Sequence, residues 1–159
     1  MLQVKPKGQA GVFLDANLLL LLIVGGGGRD LIKKHRRLRG YTSGDYDTLT
    51  EVLSPVHRVF VTPNILTEAS NLLAQHRDPE RSRFFDRLRY VIEESEEIVV
   101  ASVEAACNED FVRLGLTDAV LLEVVTEETP LITVDLDLYL AALQKNQNSA
   151  INFSHLRRL

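Results

Sequence analysis

From Val12 to Val24 the chain is apolar except at Asp15 and Asn17, and the run closes on four consecutive glycines, Gly25 to Gly28. The uninterrupted part, Leu18 to Val24, is far shorter than the ~20 residues that span a bilayer. Nor does it read as a secretory leader, because the acid and amide break the apolar region and no small-residue cleavage pattern follows at a sensible distance. The sequence therefore predicts a short buried strand over 11–15 joined directly to a helix over 16–24, with the glycines halting the helix. An acid at the joint between strand and helix is then the feature to explain.

The same alternation repeats. Short β-branched or apolar runs at 58–62, 97–101, 130–135 and 150–153 read as strands. Helical spacing fills the intervals at 30–38, 46–53 (with Ser43 or Asp45 as cap), 63–76 and 79–95. It continues over 102–114, 118–128 and 136–145. Thr62 followed by Pro63 is a helix start, Ser102 and Thr117 read as caps, and Gly115 reads as a stop. Strands alternating with helices imply an α/β fold with a mostly parallel sheet of four or five strands. Continuous apolar strands imply helices on both faces. The 159 residues suit a single domain, 1–159, because the glycine run is too short to separate two. The single cysteine, Cys107, can form no internal disulfide and reads as a small buried side chain, so the expected setting is soluble, cytoplasmic and away from membranes.

Charge is unevenly spread. Residues 29–39 hold six basic side chains against Asp30, a local charge of +5 in a chain of −4, so the remainder carries −9. A charge run is as readily a solvated face as a functional one. The functional alternative makes Lys33, Lys34, Arg36, Arg37 and Arg39 contacts for RNA phosphates beside an acidic centre, or a docking surface for an acidic partner.

In an open parallel sheet ligands bind beyond the carboxyl ends of the strands. Asp15 ends the first strand and Asp135 the fourth, Asp118 opens a helix, and Glu68 lies two turns into the helix after the second strand. Each is the one acid in an apolar context: VFLD, LTEASNLL, LTDAVLL, ITVD. Taken singly, Asp15 and Asp135 could cap helices, Asp118 could favour a helix N-terminus, and Glu68 could be a surface residue.

VFLDANLLL, TPNILTEASNLL, LGLTDAVLLEV and LITVDLDL, in that order, resemble the PIN-domain nucleases, most closely the VapC-type ribonuclease toxins of bacterial toxin–antitoxin pairs. The resemblance spans about residues 12–153. It implies a PIN-like α/β fold, a pocket holding Mg²⁺ or Mn²⁺, an RNA substrate, and a cognate antitoxin and homodimer as partners. Residue by residue, it carries over Asp15, Glu68, Asp118 and Asp135 as catalytic metal ligands. Asn17 and Thr133 become supporting hydrogen-bonders, with Asp137 the reserve for Asp135. Two departures are a late first strand and a longer insertion between 25 and 47.

The implied chemistry is metal-assisted phosphodiester hydrolysis, in which a cation offsets crowded carboxylates, acidifies a bound water and neutralises charge on the phosphate. No histidine or cysteine grouping competes for zinc, since His35, His57, His76 and His155 are scattered in the sequence. The expected function is an endoribonuclease, as a toxin. The alternatives are an RNA-processing nuclease without an antitoxin and an inactive scaffold binding protein or RNA.

Overall fold

A computed structural model describes residues 11–157. Its five strands are β1 (Gly11–Leu14), β2 (Arg58–Val61), β3 (Glu96–Glu97), β4 (Leu131–Thr133) and β5 (Ala150–Asn152). They form one all-parallel sheet in the order β3-β2-β1-β4-β5. The α-helices are α1 (Ala16–Gly27), α2 (Ser43–Leu53), α3 (Pro63–Leu73), α4 (Glu80–Glu94), α5 (Ser102–Ala106), α6 (Phe111–Leu114), α7 (Leu116–Val124) and α8 (Leu136–Lys145). This is the α/β class the alternation implies. Connections from β1 outward to β3 run one way across the sheet, and those from β3 through β4 to β5 run the other. Right-handed crossovers therefore place α1 to α4 on one face and α5 to α8 on the opposite face.

α1 forms the centre of the core. Leu18 to Leu21, Ile23 and Val24 are all fully buried, packed among β1, α2, α3 and α4. An all-round apolar helix has to be enclosed in this way. The glycines do not halt α1, which runs on to Gly27. A Cβ at Gly25 would lie 2.3 Å from the Tyr46 ring, and one at Gly26 would lie 2.1 Å from the Arg87 guanidinium. Glycine costs a helix about 1 kcal/mol per residue, and close packing of α2 and α4 offsets it here.

Other boundaries move for local reasons. The third strand was expected over 97–101 but keeps only Glu96–Glu97, paired with Phe60 and Val61. Ile98 N still donates to Val61 O at 2.9 Å, but the next residue of β2, Thr62, is already the cap of α3, accepting from Ile65 N at 3.2 Å, so the pairing goes no further. The basic stretch 30–38 is two 3₁₀ turns, Arg29–Lys34 and Arg36–Leu38, separated at an extended His35. α2 starts earlier than expected because Thr42, rather than Ser43 or Asp45, is its cap, in a reciprocal box with Asp45. The single helix expected over 102–114 is divided into α5 and α6 by a turn in which Asn108 Oδ1 accepts from Asp110 N at 2.9 Å. Ser102 and Thr117 are not caps: Ala101 and Gly115 hold those positions, and Gly115 turns the chain at φ 89°. Cys107, expected to be buried, is exposed at the end of α5, with its thiol donating to Val103 O. Among the described residues no helix is long and apolar enough to cross a membrane.

Candidate acidic site at the strand ends

β1 and β4 are neighbours whose onward connections leave in opposite directions, the arrangement that opens a crevice at their carboxyl ends. Asp15 sits there. It is 7% exposed and caps α1, with Oδ1 accepting from Leu18 N at 2.8 Å. Its other oxygen, Oδ2, accepts from Thr133 Oγ1 at 2.5 Å and from Val134 N at 2.9 Å. Each carboxylate oxygen has two lone pairs, so Oδ2 is saturated and Oδ1 keeps one lone pair for another partner. Burial raises the Asp15 pKa, opposed by its three donors, and the charge of Asp135 adds to the rise. Thr133 Oγ1 also accepts from Asp135 N at 3.0 Å, and Asp135 caps α8 through Leu138 N at 3.1 Å. The capping roles of Asp15 and Asp135 are real and coexist with their convergence on one edge.

Asp118, in the first turn of α7, is different. Its pKa is pushed up to about 7, first by burial and then by the charges of Asp135, Glu68 and Asp15. These four acids therefore share one field. The cap position of α7 is Gly115, which offers no side-chain bond. Asp137 is exposed in the first turn of α8 and is not among the charges acting on Asp118; the Arg113 pKa is raised first by its hydrogen bond to Asp110, with smaller contributions from Asp137 and Asp135.

The donor set consists of carboxylate oxygens; Asn17, two residues after Asp15, has its Oδ1 buried without a hydrogen-bond partner. Hard oxygens of this kind suit Mg²⁺ or Mn²⁺. Among the described residues, however, no three of His, Cys, Asp or Glu are gathered closely enough to hold an ion as they stand.

The basic segment bears on this edge at one point. Arg37 Nη2 lies 4.0 Å from Glu68 Oε1, both side chains being partly exposed. Lys33, Lys34, Arg36 and Arg39 are exposed on the outer side of the turns. Arg37 N donates to Nδ1 of the buried His35 at 3.1 Å. His35 stacks on His76 with centroids 4.7 Å apart, so two of the four histidines meet. Burial, then His76 and Arg37, lower the His35 pKa to about 4, which keeps Nδ1 an acceptor.

Tyr41 and the Arg157–Asp45 pair carry no sequence signal and were not anticipated. Arg157 binds Asp45 through Nε (3.0 Å) and Nη2 (2.8 Å), donates to Gly40 O at 2.7 Å, and lies 5.1 Å from the Tyr41 ring centroid. The Tyr41 pKa is pushed up to about 12, first by burial and next by the charge of Asp15, so the insertion flanks the acidic edge. On the other side of Glu68 an open cleft of about 420 Å³ is lined by Pro63, Asn64, Thr67, Glu68, Asn71 and Thr117.

No protein-family model matches the chain, and no curated protein sequence matches it.

Proposed function

We propose that the chain is a Mg²⁺- or Mn²⁺-dependent endoribonuclease that hydrolyses phosphodiester bonds at the edge formed by Asp15, Glu68, Asp118 and Asp135. The observation that carries this reading is Asp118. A carboxylate whose pKa is pushed up to about 7, first by burial and then by three other acids, with no hydrogen-bond donor among the described residues, is suited to a cation partner. The ion would be held by Asp118 and the free lone pair of Asp15, with Glu68 and Asp135 reaching it directly or through water. When bound, it supplies a water acidified to near-neutral pKa and charge neutralisation at the phosphate. The chain's own contributions are orientation and charge. Thr133 and Val134 fix the Asp15 carboxylate, and Asn17 would support the site as the motif resemblance implies. Arg37 stands beside Glu68, where a substrate phosphate would arrive.

The motif order resembling VapC-type toxins supports an antitoxin and a second copy of the chain as partners. An RNA-processing role without an antitoxin fits the same site, and a small reading frame directly upstream of the gene separates the two. A non-catalytic scaffold is the second reading, favoured by the absence of a closed ligand group among the described residues. The test is cleavage of single-stranded and structured RNA by purified protein with Mn²⁺, with EDTA, and by Asp118→Asn prepared in parallel. Cleavage that needs both the metal and Asp118 supports the nuclease. No cleavage, or equal cleavage by the variant, favours the scaffold.

A further inference from the structure

The outer faces of two neighbouring helices differ in kind. α4 exposes Arg81, Arg83, Asp86, Arg89, Glu93 and Glu94, the mixed charges of an ordinary solvated face. α3 buries Ile65, Leu66, Ala69 and Leu73 and turns Asn64, Thr67, Glu68 and Asn71 outward, a stripe with the i, i+3, i+4, i+7 spacing of one helical face. Its only charge is Glu68, which belongs to the acidic edge. The other three are amides and a hydroxyl, and among the described residues no hydrogen bond engages their side chains.

This stripe lines an open cleft, and Thr67 and Asn71 are exposed in it. It forms one wall of the 420 Å³ cleft, with Thr117 on the other side. Glu68 lines the cleft and belongs to the acidic edge, and Thr117 immediately precedes Asp118 in α7, so the cleft borders that edge. Arg37 stands at the Glu68 end. The volume lies within the ~300–1,000 Å³ of small-ligand clefts and is ample for one nucleotide. A lining without further carboxylates admits a polyanion next to an acidic centre. Asparagine amides present two donors and an acceptor, the complement of an unpaired base edge.

We propose that the α3–α7 cleft is the subsite for one unpaired nucleotide of a single-stranded RNA beside the scissile bond. The amides of Asn64 and Asn71 hydrogen-bond the base edge, and Arg37 meets the phosphate. His35 is the positioning residue for Arg37: its imidazole, wedged against His76, caps the 3₁₀ turn that carries the arginine. The inference rests on the ribonuclease reading and adds its substrate class and its specificity-determining residues.

The experiment is Mn²⁺-dependent cleavage of a randomised single-stranded RNA pool, with product ends sequenced, by the parent protein, Asn64→Ala, Asn71→Ala and Arg37→Ala. RNA affinity is measured beside it in EDTA over a range of salt. The parent is expected to prefer one base at a fixed position from the cut. Each asparagine variant is expected to lose about tenfold of that preference at that position alone. Arg37→Ala is expected to weaken binding alike for every sequence and to reduce the salt slope by about 1. His35→Asn, which keeps an acceptor near the Nδ1 position, is expected to retain the parental salt slope, and His35→Leu to match Arg37→Ala. All these positions except His35 are partly exposed, and thermal melting checks that each variant is folded. A parent that cleaves without base preference, or asparagine variants with the parental profile, would overturn the subsite alone. A parent that neither cleaves RNA nor responds to Mn²⁺ would overturn the ribonuclease reading, and the subsite with it.

Discussion

Two carboxylates share the acidic edge and live in opposite circumstances. Asp15 is almost fully buried and receives three hydrogen bonds from two elements of the fold, Leu18 at the start of α1 and Thr133 and Val134 at the end of β4. Asp118 is partly exposed, and its pKa is raised to about 7, first by burial and then by three other acids. The first is an acid the fold has provided for, and removing it removes structure. The second is an acid the fold leaves in conflict with its neighbours, and removing it relieves the protein. A residue that costs stability where it stands is the stronger functional signal of the two.

The contrast can be broken in four ways, from the largest effect down. Asp118→Asn is expected to abolish metal-dependent cleavage. It should also weaken Mn²⁺ binding by more than the ~10–100-fold typical of losing an outer-shell partner. Its melting temperature without metal should be no lower than the parent's. Asp15→Asn places an amide NH₂ either against Leu18 N–H or against Val134 N–H and the Thr133 hydroxyl, and should lower the urea-unfolding free energy by about 2–3 kcal/mol. A full-stability Asp15→Asn would show that the hydrogen-bond accounting at this corner is wrong. Thr133→Val removes one donor to a charged oxygen and leaves Asp135 N without its acceptor, with an expected loss of about 1.5–3 kcal/mol in the same measurement.

The smallest effect is in pH. The folded-state pKa of Asp118, about 7, lies above its ordinary 3.8, so the folded protein holds this proton more tightly than the unfolded chain does. The penalty for the charge is absent below about pH 4 and complete above about pH 7. In EDTA, melting temperature should therefore fall as pH rises through that window. Asp118→Asn should flatten the fall without removing it, because the Asp15 pKa is also raised. Identical slopes for parent and variant would place the origin of the pH dependence elsewhere.

What could be read from the sequence was whatever has a local cause. Alternating apolar runs give the sheet and its helices, Thr62–Pro63 gives the start of α3, and the span of α8 follows from spacing alone. The four acids stood out because each interrupts an apolar pattern. What was not legible depends on distant partners. β3 ends where β2 runs out of strand, and the glycines stay helical because Tyr46 and Arg87 occupy the space their side chains would need. The basic run breaks at His35 because that ring is buried against His76. The Arg157–Asp45 pair joins residues 112 positions apart and brings Tyr41 with it, and nothing in either stretch announces the contact. The polar stripe on α3 was in the sequence as a spacing, but only the cleft shows that it borders the acidic edge.

The most direct test is the melting temperature of the parent and of Asp118→Asn at pH 7.5, with EDTA and then with rising Mn²⁺. A ligand that binds only the folded state raises stability with its concentration. The expected result is a Mn²⁺-dependent rise in the parent that is absent in Asp118→Asn, with the variant at least as stable as the parent in EDTA. An equal rise in both proteins, or none in the parent, would contradict a cation site built on Asp118.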